Sequence, residues 1–293
     1  MNIIMSIAEE IKESFRKGSV LTRLIYINIG VFLAVRIVHV LFFLVNRESP
    51  LVGWLALPAD VGQLLTLPWT LISYMFLHFS FLHILFNILW LYWMGKIFIF
   101  YFDEKKLLGV YLLGGLTGGL FFVLAYNLFP AFSGALGFAR LLGASASVLA
   151  IIAAVATYAP NHTISLLFIG QIKMKHLAWF SILLYVIGIA SSNAGGNLAH
   201  LGGAAFGFVY ALQYRQGRDW TKGITWLTGA LAKLFRPRPR IKVSHRAKAD
   251  DIEYNRQKNL KQEEINRVLD KISKSGYDSL TREEKELLFK MGK

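Results

Sequence analysis

The sequence predicts an all-α polytopic membrane protein, a bundle of six transmembrane helices followed by a small helical cytoplasmic tail. Three observations carry that reading. Of the 293 residues, 55% are apolar and the mean hydropathy is +0.45, too greasy for a soluble chain that must present a polar surface. Apolar runs recur along the first two thirds of the chain, several as long as the roughly 20 helical residues needed to cross ~30 Å of hydrocarbon. Lys and Arg gather in alternate connections between those runs, the asymmetry that orients membrane helices. Cysteine is absent, which excludes disulfides and thiolate metal sites.

Residues 1–23 form a cytoplasmic N-terminal segment that mixes charges with short apolar runs and lacks a small-residue cleavage site. They do not read as a removable signal, so the first apolar segment is expected to stay. The six-span domain, 24–214, has predicted spans at 24–45, 82–102, 107–129, 145–158, 177–190 and 198–214. The fourth and fifth are short and carry polar residues, which places them inside the bundle or has them extended by their flanks. Lys12, Arg16, Lys17 and Arg23 precede the first span, Lys105 and Lys106 join the second to the third, and Lys173 and Lys175 join the fourth to the fifth. The opposite connections hold only Arg47, only Arg140, and no cation between 191 and 197. Both termini are therefore predicted on the cytoplasmic side of the cell (inner) membrane. The long connection at 46–81 is itself apolar, with Trp54, Leu64, Leu65, Trp69 and Phe76, and suits either the membrane interface or packing against the bundle.

Beyond the last span, residues 215–249 form a basic juxtamembrane segment in which Trp220, Ile224, Leu227, Leu231 and Leu234 recur at helical spacing, an interfacial helix over 220–235. From 215 to the end there are 20 Lys and Arg against 11 Asp and Glu, a net of +9 out of +14, so the basic character belongs mostly to the tail. The partner it implies is a bilayer with anionic headgroups. Nucleic acid is not expected, since the tail has neither interleaved stacking aromatics nor a binding motif. Arg236-Pro237-Arg238-Pro239-Arg240 ends the helix. Residues 250–293 then read as a small helical module with little core of its own. Ile265, Val268, Leu269 and Ile272 form its apolar stripe, 273–280 a turn around Gly276, and 279–283 a helix start ahead of Leu287, Leu288 and Phe289.

Polar groups inside spans are costly and point into the bundle. His83 and Asn87, four residues apart, share one face of the second span. The fourth span opens Gly143-Ala144-Ser145-Ala146-Ser147, and the sixth opens Ala199-His200-Leu201-Gly202-Gly203, with Gly203 and Gly207 in GxxxG spacing. Each feature alone reads equally well as helix packing. His200 has no second ligand at metal-binding spacing, so no metal and no cofactor is expected. Together they say more, because the topology puts the starts of spans two, four and six on the external side at similar depth. There a neutral imidazole can take the proton of a serine hydroxyl. An imidazole N–H, an Asn amide and backbone N–H groups at a helix start can then hold an oxyanion.

Ser145 within GASA, His200 within AHLGG, and His83 and Asn87 as HxxxN occur in the order and on the spans that resemble a rhomboid intramembrane serine protease, over roughly residues 24–214. The resemblance implies a Ser145–His200 dyad without a third acid and an oxyanion site made by His83, Asn87 and the Ser145 N–H. It also implies a water-filled cavity opening to the extracytoplasmic side, capped by residues 191–197, with the fifth span as gate. The substrates implied are transmembrane proteins cut in or near a membrane helix; neither their identity nor an oligomeric state is set by the sequence. Gly143, Ala146, Gly203 and Gly207 would support the site. Three positions depart from the family pattern. Ala146 replaces the glycine after the serine, Thr70 follows Trp69 where arginine is usual, and Leu149 stands where an aromatic often packs on the histidine. Ser147 is a second hydroxyl nearby, but it follows no glycine-x pair. Two other classes stay in view: a catalytically silent relative that binds and escorts membrane helices, and a transporter, which would require repeated halves that the sequence lacks.

Overall fold

A computed structural model describes residues 2–166, 170–234 and 249–291. The fold divides into two units, Met1–Phe235 and Arg236–Lys293. The predicted Arg-Pro run at 236–240, and the rest of the basic segment from 235 to 248, lie outside the described residues.

The first unit begins with helices α1 (Asn2–Lys17) and α2 (Val20–Leu44). In α1, Ile7, Ile11 and Phe15 recur every fourth residue and stay exposed, so this amphipathic helix has an apolar stripe suited to a membrane interface. Ser19 caps α2 by accepting from the Thr22 N–H at 3.1 Å. The Val20 N–H donates to Glu104 at 2.9 Å, which pins the start of α2 to the start of the helix that Glu104 opens.

The 46–81 connection is folded rather than loose. It contains α3 (Leu51–Leu55), strand β1 (Leu57–Pro58), α4 (Val61–Thr66), α5 (Thr70–Ser73) and a 3-10 turn at Tyr74–Phe76. Ala56, Leu57, Tyr74, Met75 and Leu77 are buried, so this segment packs on the bundle, while Trp54, Leu65 and Trp69 stay exposed. The Trp69 indole N–H donates to the Trp54 carbonyl at 2.8 Å, and Thr70, in the place where arginine is usual, is buried and bonded to the Leu67 carbonyl at 2.6 Å. The loop is thus closed by its own backbone.

Helices α6 (Phe81–Tyr101) and α7 (Glu104–Leu128) follow as an antiparallel pair, then β2 (Arg140–Leu141), which pairs with β1. Next come α8 (Ser145–Tyr158), a β3–β4 hairpin (Thr163–Leu166 and Gly170–Lys173), α9 (Met174–Ile187), α10 (Ala194–Arg215) and α11 (Lys222–Leu234). The predicted spans fall on α2, α6, α7, α8, α9 and α10. Among the described residues three, α2, α6 and α7, are long and apolar enough by themselves to cross a membrane. Helix α8 has 14 residues, all of Ala146 to Ala156 buried; at about 1.5 Å per residue it reaches roughly 21 Å, short of a bilayer core. It is the hub of the bundle, packed by α6, α7, α9 and α10. Its alanines make that possible, because small side chains let neighbouring backbones come close. The hairpin and the β1–β2 pair are the departures from an all-α reading.

The second unit holds α12 (Ala249–Ser275), a 3-10 turn at Tyr277–Ser279, and α13 (Arg282–Met291). Ile265, Val268 and Leu280 are buried, but Leu269, expected on the same stripe, is exposed. Gly276 makes the predicted turn with φ +77°. Thr281 and Glu284 form a reciprocal capping box, with Glu284 also paired to Lys271 at 2.9 Å.

Candidate active site

The chain reaches the serine through a turn held from the 46–81 connection. Gly143 has φ +118°, a conformation that side chains rarely adopt, and a Cβ there would lie 2.7 Å from the His83 ring. Its N–H donates to the Tyr74 carbonyl at 2.9 Å, and the next N–H, of Ala144, donates to His78 Nε2 at 3.3 Å. His78 Nδ1 in turn faces the Phe76 carbonyl at 3.3 Å, so the neutral tautomer with its proton on Nδ1 satisfies both contacts. Burial, and then the neighbouring His83, push the His78 imidazole down to about 4, which keeps it an acceptor for that N–H. Ser145 follows as the first residue of α8, and its backbone N–H has no acceptor within its own helix.

The Ser145 hydroxyl lies 2.6 Å from His200 Nε2. Helix α10 brings the histidine there because its backbone touches α8: a Cβ on Gly203 would lie 2.1 Å from the Ala146 carbonyl oxygen, and one on Gly207 would lie 2.1 Å from that of Ala150. Only glycine permits that approach. Among the described residues, His200 Nδ1 is buried without a hydrogen-bond partner, so no third acid orients the ring. Orientation comes from packing: the Tyr185 ring, on α9, sits with its centroid 4.3 Å from that of His200, tilted by 57°.

A cavity of about 590 Å³ opens over this pair, lined by Ser145 and His200 and, across from them, His83 and Asn87. The Asn87 amide donates to the His83 carbonyl at 2.8 Å, which fixes its rotamer and leaves a second N–H. The four sequence-predicted site residues are thus brought together at the starts of α6, α8 and α10. Gly143 touches the site through His83. Ala146, Gly203 and Gly207 lie instead at helix contacts; the Ala146 methyl packs towards Gly118 of α7, away from the cavity. Ser147 is fully buried, faces Gly115 and does not line the cavity. Residues 194–197 of the expected cap belong to α10, and Asn193 and Gly196 line the cavity. The Asn197 amide bonds to the Gly188 carbonyl at 2.6 Å and ties that end of α10 to the end of α9.

Two positioning residues escape a reading by sequence. His78 stands 66 residues from the backbone N–H it receives. Tyr185 occupies the place expected of an aromatic one turn after the serine, where this chain has Leu149, but it comes from another helix.

A family model described as the rhomboid domain matches residues 66–217, and a family of unknown function, DUF6576, matches residues 250–291. The rhomboid protease GlpG of Yersinia pseudotuberculosis serotype I (strain IP32953) is 29% identical over 177 residues, covering 58% of this chain and 56% of that protein. That of Serratia proteamaculans (strain 568) is 32% identical over 117 residues, 34% of this chain and 41% of its own length. The chain spans about half the length of the curated relatives it matches.

Proposed function

Because the chain belongs to the rhomboid family of intramembrane proteases, we propose that it is a serine endopeptidase that hydrolyses peptide bonds in or near the transmembrane segments of other membrane proteins, through a dyad of Ser145 and His200. The observation that carries this is the 2.6 Å contact between the serine hydroxyl and His200 Nε2 in a cavity that also presents His83 and Asn87. Nε2 takes the hydroxyl proton as Oγ attacks the scissile carbonyl carbon, and returns it to the leaving amine. Water then attacks the acyl-enzyme by the same proton path, releasing the new carboxyl and the serine. The developing oxyanion is held by the Ser145 N–H, the free Asn87 N–H and the His83 ring N–H, donors fixed before the reaction begins.

The loop charges support an orientation with both termini in the cytoplasm and the cavity opening to the extracytoplasmic side of the cell (inner) membrane. Helix α9 serves as the gate. Its outer face, with Trp179, Phe180, Leu183 and Ile187, is exposed and among the described residues no other element covers it, so a swing has to break only the inner-face packing of Met174, Leu177 and Ala178.

Cleavage of a model transmembrane substrate by the full chain and by Ser145→Ala tests the reading. Loss of the nucleophile lowers the rate by roughly 10⁴-fold or more. A fluorophosphonate probe labels the wild-type chain and not Ser145→Ala. Equal cleavage rates would overturn the assignment; absence of labelling in folded wild-type protein would turn it towards a helix-binding relative without catalysis.

A further inference from the structure

A second cavity, of about 670 Å³, lies on the neighbouring face of α9 to the catalytic one, where α9 and α10 flank the inner half of α8. Its floor is made of small side chains: Ala153 and Ala156 of α8 and Ala204 and Ala205 of α10. Its walls are Trp179 and Ile182 of α9 and Phe208 and Leu212 of α10. Trp179 is 72% exposed and Phe208 52%, although both flank a recess deep enough to cover apolar atoms. Along α10 the lining runs from Leu201 to Arg215, which at about 1.5 Å per residue is ~21 Å, longer than one leaflet of a ~30 Å hydrocarbon core.

Only one end of this groove is charged. Lys175 begins α9 and Arg215 ends α10, and both line the cavity where α8 gives way to Pro160. The Arg215 guanidinium is held there by donating to the Tyr158 carbonyl at 2.8 Å and lying over the Tyr158 ring. Among the described residues no carboxylate lines the groove. Two cations at the mouth of a leaflet-long apolar slot match the chemistry of one amphiphile, an anionic headgroup carried on acyl chains. A transmembrane peptide would leave the cations without a counter-charge, and a zwitterionic lipid would set its own cation against them.

We propose that this groove is a binding site for an anionic phospholipid, with its phosphate on Lys175 and Arg215 and an acyl chain lying on the alanine floor between α9 and α10. Proteolysis is not needed for this to hold, so it stands or falls apart from the proposed activity. A chain in the groove braces α9 on the face next to the one that lines the catalytic cavity.

The test uses the full chain in bilayer nanodiscs of zwitterionic phospholipid doped with phospholipid brominated along its acyl chains, with either a phosphatidylglycerol or a phosphatidylcholine headgroup. Quenching of Trp179 is read as the difference between the wild-type chain and Trp179→Phe. The brominated phosphatidylglycerol is expected to half-quench Trp179 at a mole fraction roughly 30-fold below that of the brominated phosphatidylcholine, the equivalent of about 1 kcal/mol per basic residue. Lys175→Gln with Arg215→Gln removes the difference, whereas Lys175→Arg with Arg215→Lys keeps it and guards against a folding artefact. Equal quenching by the two headgroups would make the groove ordinary lipid annulus and overturn the proposal. So would no quenching by either, which would mean that protein fills the groove, or a preference that survives neutralisation.

Discussion

Replacing Tyr185 by alanine removes the one ring that packs on His200, the proposed base, among the described residues, and its effect can be worked from the geometry. The two rings are 4.3 Å apart at 57°, and His200 Nδ1 has no hydrogen-bond partner among the described residues. The imidazole is therefore held by the Nε2 contact to Ser145 on one side and by Tyr185 packing on its face. An aromatic contact of this kind contributes about 0.5–1.5 kcal/mol beyond its area, and at ~1.36 kcal/mol per tenfold this is a roughly 2- to 13-fold fall in rate. Swivelling of the freed ring adds to it, since a misplacement of ~1 Å can cost about 10²-fold. The expected loss for Tyr185→Ala is a tenfold or greater fall in kcat with KM little changed, because the ring orders the base. Tyr185→Phe keeps the ring and restores the rate. Leu149→Tyr in the Tyr185→Ala background recovers part of it, since Leu149 lines the same cavity one turn from the nucleophile. Steady-state cleavage of a model transmembrane substrate, with the rate of fluorophosphonate labelling as a second reading, provides the assay. Wild-type kcat in Tyr185→Ala, or a change confined to KM, would refute the positioning argument.

Two further outcomes follow from the same geometry. Gly203→Ala puts a methyl 2.1 Å from the Ala146 carbonyl oxygen and forces α10 from α8; the expected cost is about 1–3 kcal/mol of stability, read as a lower Tm, with a loss of kcat because the serine and histidine ride on those two helices. His78 is held at about 4 against an ordinary 6.5, so the unfolded chain binds the extra proton between those values. Stability is full above pH 6.5 and falls by up to about 3 kcal/mol as the pH drops to 4; His78→Gln, which keeps an acceptor for the Ala144 N–H, flattens that slope in thermal denaturation against pH.

What the sequence made legible is what local pattern can encode. Six apolar runs fall on α2 and α6 to α10, because hydrocarbon demands length and composition and little else. Ser145, His200, His83 and Asn87 were legible as short motifs at helix starts, and alternating loop charge was enough to put them at one end. The β3–β4 hairpin was not, since Thr163–Leu166 and Gly170–Lys173 are four-residue alternations lodged between longer apolar runs. The amphipathic character of α1 has little local signature, because its stripe, Ile7, Ile11 and Phe15, is interrupted by charges on the other face. In the tail the helix start falls on Thr281, inside the expected 279–283, where the box with Glu284 satisfies two backbone groups at once. His78 and Tyr185 escaped for one reason: their roles exist only across tertiary contacts, and a histidine beside a turn or a tyrosine in a span has no local signature. The departures at Ala146 and Leu149 have structural answers of that same kind. Gly118 leaves room for the Ala146 methyl, and Tyr185 stands in for the missing aromatic.

Among the described residues no acid stands behind His200, which has a physical logic that also explains the position of Tyr185. A carboxylate buried in a bundle carries a desolvation cost of several kcal/mol, returned only when its partner geometry is excellent. Packing a ring on the imidazole orients it without adding a charge. The consequence is that the orienting group sits on α9. Leu177, Ser181 and Tyr185, spaced by four, turn one face of that helix to the catalytic cavity, while Lys175, Ala178 and Ile182 turn the neighbouring face, roughly 100° round the helix, to the cationic groove. In the gating proposed for α9, a tilt that widens the cavity carries Tyr185 with it and loosens His200 at the moment of entry. Return of the helix restores the stack on His200 once the substrate backbone is in place. In this arrangement access and proton transfer are alternatives, and what lies behind α9 helps to set the balance between them.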